Sequence, residues 1–243
     1  MISPIAIALA AAFTFTPAFA DDPTDPAGAT DIWEISRGGQ LYDEWWTVIE
    51  AGAPEATHPA YPAAGKKSGA TTWRCKECHG WDYRGAEGAY AKGSHFTGIK
   101  GISGMSGAPV DDIVKVLRGD LHGFTPDMLS DSAMRKLATF VSAGQIDDDL
   151  YIDRETKKMK GDPATGARYF QTICAVCHGY DGKAINFGDE EEPEFVGTVA
   201  TDNPWEALHK VRFGQPGVGM VALSALDIQV LVDIVAYAQT LPE

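Results

Sequence analysis

The chain has 243 residues, 44% of them hydrophobic and 22% charged, with a formal net charge of −14. So acidic a surface argues against nucleic acid or anionic lipid as a partner and favours a partner with a basic docking patch. The length suits two small domains better than one. Residues 1–20 come first: an apolar run from Ile5 to Phe15 ends at Ala18-Phe19-Ala20, an A-x-A-like cleavage site. They read as a signal peptide that sends the protein to the periplasm, although no Lys or Arg precedes the run. Anchoring by an uncleaved signal is the less favoured outcome, because a full span takes about 20 apolar residues. Residues 21–30, rich in Asp, Pro, Gly and Thr, read as a mobile tail.

The first structured unit, 31–143, opens with a helix carrying Gly39-Gln40-Leu41-Tyr42. An insertion at about 46–72 follows. It includes Pro54, Pro59 and Pro62, a density that predicts a loop over the unit and not another helix. Next comes Cys75-Lys76-Glu77-Cys78-His79, trailed by Gly80-Trp81-Asp82. The pattern C-x-x-C-H is the attachment signature of a c-type haem. Two thiols spaced by two residues add across the vinyl groups of one porphyrin, and the adjacent histidine supplies the proximal imidazole. A helix with Ile113, Val116 and Leu117 on its apolar side ends at Gly119. The loop Phe124-Thr125-Pro126-Asp127 delivers Met128, and Ser130 caps a last helix bearing Leu137 and Phe140.

Residues 144–161, with Asp147-Asp148-Asp149 and Lys157-Lys158, read as an interdomain linker. The second unit, 162–243, repeats the order of parts. Asp162-Pro163 starts a helix as N-cap and first-turn proline, and Gly166-Ala167-Arg168-Tyr169-Phe170 leads to Cys174-Ala175-Val176-Cys177-His178. Asn203-Pro204 starts a helix with Trp205, Leu208 and Val211 on its apolar side and Gly214 at its end. A Gly/Pro-rich loop, 215–219, delivers Met220. Ser224 and Asp227 read as a capping-box pair ahead of a helix whose stripe is Ile228, Leu231, Val232, Ile234 and Val235.

The two motifs consume all four cysteines. The alternatives are one Cys₄ zinc site, two disulfides or a thioredoxin-like redox pair. The first two leave both histidines unexplained, and the third expects a βαβ pattern that the sequence lacks. The cofactor expectation is therefore two covalently attached haem c groups, held by Cys75, Cys78 and His79 and by Cys174, Cys177 and His178. Met220 is the one methionine of the second unit beyond its motif. In the first unit the sixth iron ligand is open among Met105, Met128, Met134, His95 and His122, with Met134 better suited to the core.

In this order of parts, each unit resembles a class I cytochrome c domain. The resemblance implies an all-α fold: two tandem cytochrome c-like domains, each a small helical bundle around a covalently attached haem. It implies first and last helices that cross through a small residue and an aromatic, here Gly39 and Tyr42 against Phe140, and Gly166 with Tyr169 or Phe170 against Tyr237. It also implies a distal methionine on the loop before the last helix, which maps onto Met128 and Met220, so that the irons are held by His79 and Met128 and by His178 and Met220. The function it implies is a carrier of single electrons in a respiratory or related chain, with redox proteins as partners, a membrane oxidoreductase complex among them. An electron carrier is favoured over a catalyst, and no catalytic residue is assigned. The alternative is a haem enzyme, or a haem subunit of an oxidoreductase acting on peroxide or a small sulfur compound, with the first unit as the active one.

Overall fold

The structure, a computed structural model, describes residues 28–243; the signal peptide expected at 1–20 and most of the tail expected at 21–30 lie outside the described residues. These residues are all-α, with no strand among them and two isolated bridges, Gly85 with Lys100 and Ile152 with Met159. The helices in chain order are α1 (Asp31–Val48), α2 (Cys75–His79), α3 (Val110–Arg118), α4 (Asp131–Thr139), α5 (Pro163–Tyr169), α6 (Ala175–His178), α7 (Val196–Asp202), α8 (Pro204–Phe213) and α9 (Ile228–Ala238). Short polar side chains define their starts. Thr30 caps α1, Ser130 caps α4, Asp162 caps α5 ahead of Pro163, and Asn203 caps α8 ahead of Pro204. No helix among the described residues is long and apolar enough to cross a membrane.

Two apolar cores form. The first gathers Leu41, Tyr42, Met134, Leu137 and Phe140 from α1, α4 and the π-turn (Phe140–Gly144) that extends α4. The second gathers Phe170, Leu208, Leu231, Val232, Ile234 and Val235 around α8 and α9. Each large apolar side chain so buried stabilises the fold by about 1.5–3 kcal/mol. Met134 is fully buried, in keeping with a core role.

Glycine lets the helices of each pair touch backbone to backbone. A Cβ on Gly38 would meet the Lys136 carbonyl oxygen of α4 at 2.2 Å, and one on Gly166 would meet that of Asp233 in α9 at 1.8 Å. Aromatic contacts flank both crossings, Tyr42 with Phe140 at 5.2 Å and Phe170 with Tyr237 at 5.3 Å. Gly39, expected at the first crossing, faces Phe213 of α8 instead, because the helix turns its neighbour Gly38 toward α4.

That contact belongs to a wide seam between the halves. His209 of α8 is buried; its Nε2 donates to the Gly39 carbonyl at 3.0 Å, and its Nδ1 accepts from the Tyr83 hydroxyl at 3.1 Å. Gln40 Nε2 donates to the Phe213 carbonyl at 2.8 Å, and Arg212 Nη2 to that of Gly144 at 2.7 Å. At one edge, the fully buried Asp43 of α1 is paired with both Arg74 and Lys210. Burial opposes charge on this carboxyl, but Lys210 and Arg74 outweigh it and hold its pKa below the usual value.

Several sequence expectations change here. The 144–161 segment is folded against the second core: Ile152 and Met159 are buried in it, and Arg154 pairs with Asp82 and Asp149. Val116 is 49% exposed, so the apolar side of α3 is Ile113 and Leu117. Asp227 alone caps α9, by accepting from the Gln229 N–H at 2.8 Å. Ser224 is spent elsewhere, accepting from Ser36 of α1 at 2.7 Å and donating to the Arg212 carbonyl. The insertion is a loop from 49 to 68, followed by a 3₁₀ turn, Gly69–Trp73; α1 runs into its first residues through Val48.

Candidate functional site

The two C-x-x-C-H segments fold alike. Each histidine ends a short helix, and the next residue is a glycine with the same backbone: Gly80 at φ 78, ψ 160 and Gly179 at φ 77, ψ 162. Only glycine occupies this region readily. The hydrogen bonds repeat as well. Gly80 N–H donates to the Lys76 carbonyl at 2.9 Å and Gly179 N–H to that of Ala175 at 3.0 Å. The His79 carbonyl accepts from Gly85 at 2.8 Å and the His178 carbonyl from Ala184 at 3.0 Å, six residues on in each copy. The approaches differ, since a 3₁₀ turn leads to Cys75 whereas α5 runs through a π-turn, Phe170–Cys174, into α6.

At the first site, His79 Nδ1 lies 2.8 Å from the Lys100 carbonyl. A carbonyl only accepts, so Nδ1 carries the proton and Nε2 keeps its lone pair, the ligating tautomer. The carbonyl is delivered by loop pairing: Gly85 bridges to Lys100, and Ile102 N–H donates to the Tyr83 carbonyl at 2.7 Å. Burial pushes the His79 pKa down to about 4, so the ring is neutral at physiological pH. Burial also pushes the Cys75 and Cys78 thiols up to about 12. Tyr42 of α1 donates to the Gly80 carbonyl at 2.6 Å, tying the motif to the first core. Between the cysteines sits Glu77, fully buried, with His95 Nδ1 at 2.8 Å and Lys76 Nζ at 3.2 Å. Burial opposes its charge, and the His95 hydrogen bond and the Lys76 charge prevail, lowering its pKa.

The insertion lies against this site. His58 packs on Trp73 with ring centroids 4.2 Å apart, and Trp73 Nε1 donates to the Ala56 carbonyl at 2.8 Å. His58 Nε2 is 3.1 Å from the His122 carbonyl, while its Nδ1 accepts from Ala60 N–H at 3.0 Å. The imidazole of His122 in turn stands 6.2 Å from that of His79, centroid to centroid. Met128 and Met105 are partly buried and pack on the first core.

At the second site, His178 Nδ1 is buried with no hydrogen-bond partner among the described residues. Burial alone lowers its pKa, and burial raises that of Cys174 to about 11. Large apolar side chains near the motif in sequence lie open: Val176 at 81%, Tyr180 at 74%, Phe187 at 46% and Ile185 at 40% exposed. Phe187 stands 5.9 Å from the His178 ring. Met220 is partly buried and packs in neither core. Beside Phe187, the segment Asp189-Glu190-Glu191-Glu192 with Glu194 is exposed. It is folded back on itself by Phe187 N–H donating to the Glu194 carbonyl at 2.8 Å.

All four cysteines are free thiols. Among the described residues no three His, Cys, Asp or Glu side chains converge as ligands of a bare metal ion, so the four thiols do not share one tetrahedral site. The donor sets do fit a c-type haem: a thiol pair one helical turn wide, a neutral adjacent imidazole with Nε2 uncommitted at the first site, and open apolar surface at the second that a large apolar group would bury. Sequence reasoning did not find the Lys100 carbonyl or the insertion's hold on the His122 loop, which arise from contacts between distant segments. No protein-family model and no curated protein matches the chain.

Proposed function

We propose that the protein is an exported dihaem cytochrome c, two cytochrome c-like domains at 31–143 and 162–243, that carries single electrons between redox partners. The observation that carries this reading is the shared backbone of the two C-x-x-C-H turns, each presenting a neutral histidine beside two free thiols. A c-type haem supplies a reversible one-electron iron couple at each site.

The chain's own residues do the rest. Cys75 and Cys78, and Cys174 and Cys177, hold the group covalently. His79 and His178 are the proximal ligands. The Lys100 carbonyl would fix the His79 tautomer and raise its basicity. Met220, partly buried and packed in neither core, would be the sixth ligand of the second site, whereas Met128, the first-site residue implied by the resemblance, packs on the first core. The acidic run at 189–194, next to Phe187 and His178, favours a redox partner with a basic docking patch, soluble or in a membrane complex.

Spectroelectrochemical titration of the protein purified from the periplasm tests the reading. Two separate one-electron steps are expected, with no turnover of peroxide or thiosulfate. Turnover of either, together with carbon monoxide or cyanide binding at neutral pH, would replace the carrier with the enzyme alternative.

A further inference from the structure

We infer that His122, and not a methionine, is the sixth iron ligand at the first site, so that this haem is bis-histidine and the insertion exists to hold His122 in place. The inference rests on the haem reading above. Its geometric ground is a distance. Two imidazoles trans on one iron, each with a metal–nitrogen bond of about 2 Å and about 1.2 Å from nitrogen to ring centre, have centroids about 6.4 Å apart. His79 and His122 stand at 6.2 Å. Axial rings turn freely about the bond to iron, so the 37° between their planes is no obstacle.

The second ground is tautomeric. His122 Nδ1 lies 3.1 Å from the Val116 carbonyl, as His79 Nδ1 lies 2.8 Å from that of Lys100. Both rings therefore carry the proton on Nδ1, with backbone carbonyls as the outer partners that orient metal-bound histidines. Neither Nε2 has a hydrogen-bond partner among the described residues.

The third ground is what holds the loop. The His122 carbonyl accepts from His58 of the insertion, whose tautomer is set by the Ala60 N–H at its Nδ1. His58 N–H donates to Thr72 Oγ1 at 2.8 Å, and its ring packs on Trp73, two residues before Cys75. The chain from attachment cysteine through Trp73 and His58 to His122 is thus continuous, and the second unit has no counterpart to it. The methionines contrast in the same sense. Met128 and Met105 are used in packing the first core, while Met220 packs in neither. His58 is a positioning residue: it acts through His122.

Near-infrared magnetic circular dichroism of the oxidised full-length holoprotein tests this, because His/His and His/Met ferric haems give charge-transfer bands at different energies. The expected spectrum has one band of each kind. His122→Ala should remove the His/His band and leave the His/Met band, Met128→Leu should leave both, and His58→Phe should split the His/His signal into two populations. Two His/Met bands in the wild type, one of them lost in Met128→Leu, would overturn the inference while leaving the cytochrome reading intact. Absence of haem on Cys75 and Cys78 by peptide mass mapping would overturn both. The wild-type spectrum and Met128→Leu keep the test decisive even where His122→Ala does not fold.

Discussion

Replacing Asp43 by alanine removes the anion that clamps α1 to α8. The carboxylate is fully buried and pairs with Arg74 and Lys210, whose side chains are 21% and 13% exposed. Arg74 also donates through Nε to the Asp43 carbonyl at 2.9 Å and lies 4.0 Å from the Glu44 carboxylate, so the guanidinium keeps both of these partners after the change. Removing one member of such a buried cluster costs about 3–5 kcal/mol, because the charges left behind stay desolvated. Against a total of about 5–15 kcal/mol for a domain, that is a large share. The assay is urea denaturation of the haem-loaded protein at pH 7, with Lys210→Met and the double variant completing a cycle. The double variant should lose less than the sum of the singles, since it removes both the anion and one stranded cation. The pH dependence has a definite sign. The folded carboxyl titrates below its unfolded value of 3.8, so its contribution is complete above that value and is lost as pH falls through the lower folded pKa. A loss under about 1 kcal/mol, or strict additivity in the cycle, would refute the reasoning, because exposed pairs behave that way.

Asp148 has the opposite sign. Burial raises its pKa to about 8, so the folded chain keeps a proton that the unfolded chain releases near 3.8. Stability should fall between about pH 4 and 8 by up to about 1.4 kcal/mol per unit, and Asp148→Asn should flatten that slope; parallel denaturation curves for the two proteins would contradict the assignment. Gly166→Ala puts a Cβ 1.8 Å from the Asp233 carbonyl oxygen and should destabilise the α5–α9 crossing by at least about 1–3 kcal/mol, read as a drop in melting temperature. Gly219→Ala, at a position with open space, is the control and should leave the melting temperature unchanged. Changing Glu190, Glu191 and Glu192 together to glutamine should slow electron transfer to a basic partner at low salt and leave the rate at high salt unchanged in stopped-flow mixing.

Local chemistry was legible in the sequence. The caps at Ser130, Asp162 and Asn203, the prolines at the starts of α5 and α8, and the breaks after α3 and α8 follow from what one or two side chains do to their own backbone. The same holds for the glycine after each C-x-x-C-H. Helix α7 was not legible, because it buries only the small residues Gly197 and Ala200 and so presents no apolar stripe. The packing of 144–161 was hidden for a related reason: its buried Ile152 and Met159 are separated by charged residues and meet only across a bridge. Gly38 and Gly39 differ in role by one helical step, and only the positions of α4 and α8 say which faces which. The candidate site divides along the same line. Motif adjacency names Cys75, Cys78, His79, Cys174, Cys177 and His178. The approach of His122 to His79, and the hold of His58 on its loop, depend on segments far apart in the chain.

The central claim is that both C-x-x-C-H turns carry haem. Intact-mass measurement of the exported protein, paired with its pyridine haemochrome spectrum, tests it most directly. Two covalent haems per chain are expected, one lost in Cys75→Ser/Cys78→Ser and the other in Cys174→Ser/Cys177→Ser. A chain of unmodified mass whose four thiols all alkylate would contradict it.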